Sequence, residues 1–206
     1  MKSYEQFCAL AKALDVIGDR WTLLIVRELL IRGACRYTDL RDGLPGIATN
    51  LLTDRLRDLE RNGILEREDA PPPVATTLYR LTPRGRELEA VIESLGRWGA
   101  PLLAHKSRKD SFRPHWMALP LQLHLRDKEP QKPPVHIEIH SGTGEPLMMA
   151  SMPDGRLRAV PRTSAKPDLV VSGDPGPVLA FLLDHRAAGV RWEGDRKVLR
   201  RISRAS

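Results

Sequence analysis

Asn50, Thr53, Asp54, Arg57 and Arg61 recur along one side of residues 47–65, IATNLLTDRLRDLERNGIL. Leu52, Leu56 and Leu59 recur along the other, with Leu51 on the flank, at the spacing of one helix turn. The stretch reads as one amphipathic helix that stops at Gly63 and runs into a strand. Short polar side chains at the helix start can meet base edges in a major groove. Arginines further along can meet phosphates. The same pattern also fits an ordinary surface helix with a solvated polar face.

The neighbouring residues narrow that choice. A short helix is expected at about 37–43, and LPG at 44–46 breaks it, since Pro45 and Gly46 cannot both continue a helix. A short helix, a tight turn and a longer polar-faced helix form the helix-turn-helix order. After Gly63, ILERED (64–69), APPPVATT (70–77) and LYRLT (78–82) read as strand, irregular tip and strand, a wing. Pro71, Pro72 and Pro73 stiffen the tip against strand pairing. Thr76, Thr77 and Arg80 are donors suited to phosphate or a minor groove. A bare β-hairpin stabilising the sheet edge is the simpler alternative.

These pieces need a scaffold. Residues 5–17 read as a helix with Phe7, Leu10, Ala11, Leu14 and Ile17 on one face. Asp19 is placed to cap a second helix at about 20–32. Thr82 and Pro83 start a long helix expected to reach about 103, with Leu88, Val91, Ile92, Leu95 and Trp98 on one side. A domain of this size leaves that face no core to fill, so with the first helix it is expected to pair two chains. A two-fold homodimer sets two reading helices one DNA turn, ~34 Å, apart.

Composition bounds the partners. Hydrophobic residues make up 41% and charged residues 29% of the 206, a soluble globular balance with room for two small domains. No apolar run approaches the ~20 residues that span a bilayer, and the N-terminal stretch lacks a signal-peptide apolar core, so no membrane and a cytoplasmic location are expected. Two cysteines, Cys8 and Cys35, do not make a disulfide scaffold. The net charge is +7, but residues 1–104 hold 15 Lys+Arg and 15 Asp+Glu, so all the excess lies beyond them, with 18 basic and 11 acidic residues. A helix-turn-helix in the first half therefore has to bind DNA through local patches.

Four stretches resemble one family in the right order: CALAKALDVIGDRWTLLIVRELL (8–30), RYTDLRDGLPGIATNLLTDRLRDLERNGIL (36–65), LYRLTPRGRELEAVI (78–92) and LGRWG (95–99). They are similar to the HxlR-type winged helix-turn-helix transcriptional regulators, relatives of the MarR regulators. The resemblance covers residues 5–104. It implies a homodimer on an inverted-repeat operator in double-stranded DNA. By position it implies a recognition helix at 48–62 with Thr49, Asn50, Thr53 and Arg55 toward DNA, and Arg36 and Thr38 toward the backbone before the turn. Family members often carry a serine cap where this chain has Ala48. Cys8 matches the family's N-terminal cysteine, which in some relatives senses oxidants. Here it is expected in the first helix, with Lys12 one turn on, and the alternative is a buried small hydrophobe.

The second half changes character at a basic linker, 105–113. Residues 114–125 read as a helix. Residues 135–140, 147–152, 156–160 and 168–173 read as strands of a meander, 175–189 as a helix, and KVLRRIS as a last helix. The whole is α+β: a winged helix-turn-helix domain at 1–104, then a smaller α+β domain at 114–206 with an antiparallel sheet. PDLVVSGDPGPVLAFLL (167–183) and VRWEGDRKVLRRI (190–202) resemble the sterol-carrier-protein-like fold. That resemblance implies a pocket for a hydrophobic small-molecule effector, with Leu147, Met149, Leu169, Val171, Phe181 and Trp192 as walls, or else a dry core of the same residues. His136, Glu138 and His140 share one strand face and are expected on the solvent side, not as metal ligands. No nucleophile elbow, phosphate loop or zinc-deaminase pattern occurs, so neither an enzyme nor a cofactor is expected. The expected function is a DNA-binding transcriptional regulator. The alternative is a carrier or sequestering protein for hydrophobic small molecules whose first half mainly dimerises.

Overall fold

The computed structural model describes residues 3–70, 76–104, 107, 109–161, 166–185 and 188–204. The chain divides into two compact units, residues 1–99 and 100–206.

In the first unit, α1 (Ala9–Ile17) and α2 (Thr22–Arg32) precede β1 (Cys35–Arg36), α3 (Tyr37–Gly43) and α4 (Thr49–Arg61). β2 (Leu65–Ala70) and β3 (Thr76–Leu81) follow, then α5 (Pro83–Arg86) and α6 (Leu88–Gly99). Leu52, Leu56 and Leu59 of α4 bury against a core with Ile25, Val26 and Leu29 of α2 and Leu40 of α3. Removing one such leucine side chain costs on the order of 2–5 kcal/mol. The sheet order is β1-β3-β2, antiparallel throughout, with Leu65 opposite Leu81 and Ala70 opposite Thr76. The hairpin is therefore longer than expected, and Thr76 and Thr77 lie in a strand. The expected tip prolines Pro71, Pro72 and Pro73 lie outside the described residues.

Three helix boundaries differ from expectation. α1 starts at Ala9, because Cys8 is extended and serves as its N-cap, which leaves Phe7 ahead of the helix and exposed. α2 starts at Thr22, because Trp21 takes φ 78, a left-handed conformation that costs a side chain about 1–3 kcal/mol. Thr82 caps α5 as expected, accepting from Gly85 N–H, but the α-helix ends at Gly99 and residues 100–104 form a 3-10 turn around Pro101.

A buried carboxylate, Glu28, is fully shielded in this unit. Arg27 reaches its Oε1 at 2.7 Å and Arg32 its Oε2 at 3.4 Å. Gly43 of α3 makes room for it, since a Cβ there would collide with Glu28 Oε2. The ion-paired acid on α2 and the missing side chain on α3 thus set how closely those helices approach.

In the second unit a 3-10 turn at Pro114–Met117 leads into α7 (Ala118–His124). Its sheet is built from β5 (His136–His140), β6 (Leu147–Ser151), β7 (Leu157–Ala159), β8 (Leu169–Gly173) and β9 (Val190–Gly194). The order is β7-β6-β5-β8-β9. This corrects the meander and the purely antiparallel sheet: β8 crosses to the far side of β5 and pairs with it in parallel, Ile137 opposite Leu169. The apolar LVV run of β8 supports that central position. α8 (Pro175–Asp184) packs on β8 and β9, and α9 (Arg196–Arg201) leads into β10 (Ile202–Arg204), which pairs with β4 (Leu125–Asp127).

Glu138 also corrects an expectation. It is buried rather than solvated, because β5 is flanked on both edges and sets Glu138 between Met148 and Val170. His140 Nε2 lies 3.0 Å from its carboxylate.

The end of the chain is fastened by Arg201, whose Nε and Nη2 reach the two carboxylate oxygens of Asp127 at 2.7 and 2.6 Å. Asp127's side chain is 0% exposed and Arg201's 13%. Burial alone would raise the Asp127 carboxyl. The Arg201 guanidinium and the Glu129 N–H outweigh it and hold the carboxyl below its ordinary 3.8. A depressed folded value means the stabilisation is complete above the unfolded value and is lost as pH falls through the folded one. Arg201→Ala is expected to cost about 3 kcal/mol, the low end for a buried pair because Arg201 keeps some solvent contact. In thermal melts across pH, the gap between wild type and Asp127→Asn is expected to be widest above about pH 5 and to close below about pH 3.8.

Candidate nucleic-acid interface

Three hydrogen bonds fix α3, the turn and α4 as a unit. Asp39 Oδ2 accepts from Arg36 N–H at 2.9 Å and caps the start of α3. Ile47 N–H donates to Leu44 C=O at 3.1 Å across the turn, where Gly46 takes φ 88 and lies against the Trp21 ring. The Tyr37 hydroxyl donates to Thr49 C=O at 2.9 Å, joining the first residue of α3 to the first of α4. Thr53 Oγ1 donates to the same carbonyl at 3.0 Å.

α4 then presents two different polar flanks. Asn50, Asp54, Arg57 and Arg61 are exposed opposite the leucine stripe, and Thr49 is exposed at the helix start. Ala48, as N-cap, offers no side-chain acceptor. Asn50 Oδ1 accepts from Leu51 N–H. Arg57 is 69% exposed and only loosely paired with Asp54 at 3.9 Å, while Arg61 leans on Asp58.

Arg55 behaves otherwise. Its guanidinium meets Asp19 at 2.6 Å and Asp58 at 2.9 Å, and its side chain is 20% exposed. Its Nε is buried without a partner among the described residues. The structure therefore places Arg55 as a strut between α4 and the turn ahead of α2, apart from the outer face that holds Asn50 and Arg57. Asp19, expected to cap α2 through its side chain, spends that carboxylate on Arg55. Its carbonyl instead accepts from Thr22 N–H.

Arg36 and Thr38 are exposed at the start of α3. The wing donors are more committed. Arg80 is paired across the hairpin with Glu66 at 2.8 Å and Glu68 at 3.2 Å, and Thr77 Oγ1 donates to Asp69 at 2.8 Å. Thr76 is half-buried. Arg67 reaches back to Glu60 of α4 at 2.8 Å.

Tyr37 and Asp19 are positioning residues, of which the sequence offered Asp19 only as a cap for α2. Asp19 and Arg55 lie 36 positions apart, and no spacing rule connects them. Tyr37 stands beside Arg36 and Thr38, but its role depends on where α4 begins.

The six residues expected to wall a ligand pocket separate from the cleft found in the second unit. Leu147, Met149, Leu169 and Val171 share one sheet face, fully buried, and Phe181 of α8 stacks on Trp192 with ring centroids 6.0 Å apart. A cleft of about 650 Å³ lies elsewhere, with Lys128, Lys132, Pro133, Lys197, Arg200 and Arg201 among its lining. Among the described residues no group of three His, Cys, Asp or Glu side chains is placed to hold a metal, and no helix is long and apolar enough to cross a membrane.

A family model described as HxlR-like helix-turn-helix matches residues 16–107. An uncharacterized HTH-type transcriptional regulator of Synechocystis is 37% identical over 100 residues, covering 48% of this chain and 73% of the relative. The HTH-type transcriptional regulator YodB of Bacillus subtilis is 34% identical over 86 residues, covering 42% of this chain and 76% of the relative. A crystal structure titled as a MarR-family regulator from Porphyromonas gingivalis is 28% identical, covering 48% of this chain and 97% of its own, with a TM-score of 0.44.

The two thiols differ sharply. Cys35 is buried in β1, and desolvation pushes its thiol up to about 12, against a smaller opposing pull from Arg32. Cys8 is exposed at the start of α1, ahead of the helix body, and Lys12 is directed to Asp15 at 3.7 Å. Timed alkylation of the native protein, followed by peptide mass spectrometry, is expected to label Cys8 at least tenfold faster than Cys35. Equal rates would contradict this assignment.

Proposed function

The chain belongs to the HxlR-like helix-turn-helix family of DNA-binding transcriptional regulators, and from that premise we propose that α4 reads the operator's bases. The carrying observation is the division of α4's polar residues, in which Arg55 turns inward while Asn50, Asp54, Arg57 and Arg61 stay outward. In a major groove Asn50 matches the donor–acceptor pair of adenine and Asp54 the amino group of cytosine. Thr49 and Thr53 lie at the entering end. Arg57, Arg36 and Thr38 are the proposed phosphate contacts, and Thr76, Thr77 and Arg80 of the wing come second because their donors face Glu66, Glu68 and Asp69.

The proposal includes a homodimer. Phe7, Leu10 and Leu14 near α1 and Val91, Leu95 and Trp98 of α6 are exposed. Six large apolar side chains left in water, five on α1 and α6 and Phe7 just ahead of α1, supply the face a second copy would cover. Two copies present two α4 helices to an inverted repeat. Exposed Cys8 at the start of α1 is the proposed point at which oxidation would alter that pairing. The second unit is the proposed regulatory module. A hydrophobic effector among Leu147, Met149, Leu169, Val171, Phe181 and Trp192 would have to open a packed layer. It would shift DNA affinity only through unequal affinity for two arrangements of the dimer.

Single substitutions separate reading from scaffolding. Arg57→Ala is expected to lower the slope of log affinity against log salt by about 0.9 per protomer, with the melting temperature unchanged. Arg55→Ala is expected to leave that slope unchanged and lower the melting temperature. Asn50→Ala is expected to relax base preference at one operator position by about 1–3 kcal/mol. If Asn50→Ala and Arg57→Ala together leave operator binding untouched, α4 is not the reading helix.

A further inference from the structure

The first unit carries no net charge, whereas the second carries the whole +7. A protein that binds a polyanion thus carries its excess of cations outside the unit that holds the reading helix, and the structure shows where some of them stand. Arg196, Lys197 and Arg200 are exposed on α9, and Lys128 is exposed beside them, where its N–H donates to Arg201 C=O at 3.0 Å. Lys128, Lys197 and Arg200 line the same cleft.

None of these four has a carboxylate partner among the described residues. Glu129, Asp168 and Asp195 also line the cleft, and each is hydrogen-bonded elsewhere. Asp127 is held by Arg201, Glu129 by Lys132 at 2.7 Å, Asp195 caps α9 through Lys197 N–H, and Asp168 accepts from His136 N–H. Arg196 is preorganised as well: its guanidinium lies 5.7 Å over the Trp192 ring, which stacks on Phe181. α9 itself is anchored by buried Val198 and Ile202 and by the Arg201–Asp127 pair. Four exposed cations with no side-chain ion partner among the described residues, three of them on the pinned α9, in a chain whose partner is DNA, are placed for sequence-independent phosphate binding.

We propose that Lys128, Arg196, Lys197 and Arg200 form a second, non-specific DNA-backbone contact, which supplies the electrostatic attraction that the neutral reading unit lacks. The proposal rests on the DNA-binding reading above and extends it to a surface that contributes affinity but no base preference.

The test is a salt titration of the full-length protein on two fragments, one bearing a selected operator and one unrelated. The variant Lys128→Ala, Arg196→Ala, Lys197→Ala, Arg200→Ala is expected to lose about 3–4 per protomer from the slope of log affinity against log salt, equally on both fragments. Base preference at the operator is expected to stay as in wild type. Arg196→Lys with Arg200→Lys keeps the charges and is expected to restore the wild-type slope if combined with native Lys128 and Lys197. Melting temperatures of both variants are expected to match wild type, since the substituted side chains are exposed. A four-alanine variant that melts like wild type and keeps the wild-type slope overturns the proposal. A loss confined to the operator fragment also overturns it, since the contact would then read sequence. Failure of the underlying reading looks different, because wild type itself would then show no preference for any fragment.

Discussion

Leu52, Leu56 and Leu59 of α4 are buried to within 3% of full shielding, and everything that helix presents outward follows from that fact. A helix seated on a leucine stripe can still roll about its axis, and a roll of one residue would replace Asn50 and Arg57 with other side chains on the outer face. The Arg55 strut to Asp19 opposes the roll from the flank. The Tyr37 hydroxyl on Thr49 C=O fixes the helix start, and Arg67 on Glu60 ties its far end to the wing. Apolar burial supplies the affinity of α4 for the scaffold, and three polar ties supply its orientation. That division is physically apt, because burial is non-directional whereas hydrogen bonds and ion pairs between part-buried groups carry geometry.

The ordering of helices, the LPG break, the Thr82–Pro83 start and the leucine stripe were all legible in the sequence, because each depends on residues a few positions apart. What stayed hidden depends on residues brought together by folding. Arg55 has the composition of a phosphate contact and becomes a strut only because Asp19, 36 residues earlier, arrives beside it. Glu138 alternates like a solvent-facing residue. It is buried because β8 crosses over to flank β5, a topology that strand spacing does not encode. Trp21 looks like the first turn of α2 and instead takes a left-handed conformation as its N-cap. In the wing, donor residues were visible, but Glu66, Glu68 and Asp69 across the hairpin claim two of them.

Charge is arranged on the same principle of separated tasks. The reading unit balances 15 bases against 15 acids and uses many of them in pairs, which fixes geometry at the expense of long-range attraction. The second unit holds the excess, including exposed cations on α9 that have no side-chain ion partner among the described residues. Neutralising arginines next to the reading surface limits indiscriminate binding there, so base contacts carry more of the discrimination.

In the proposed complex α4, held in this orientation and paired across a two-fold axis, reads DNA. Selecting genomic fragments bound by the full-length protein and aligning them tests it most directly. The account predicts an inverted repeat whose half-sites are centred about 10–10.5 base pairs apart, or a multiple of that. Recovery of fragments with no common sequence, or of a single asymmetric site bound by one copy, would contradict it.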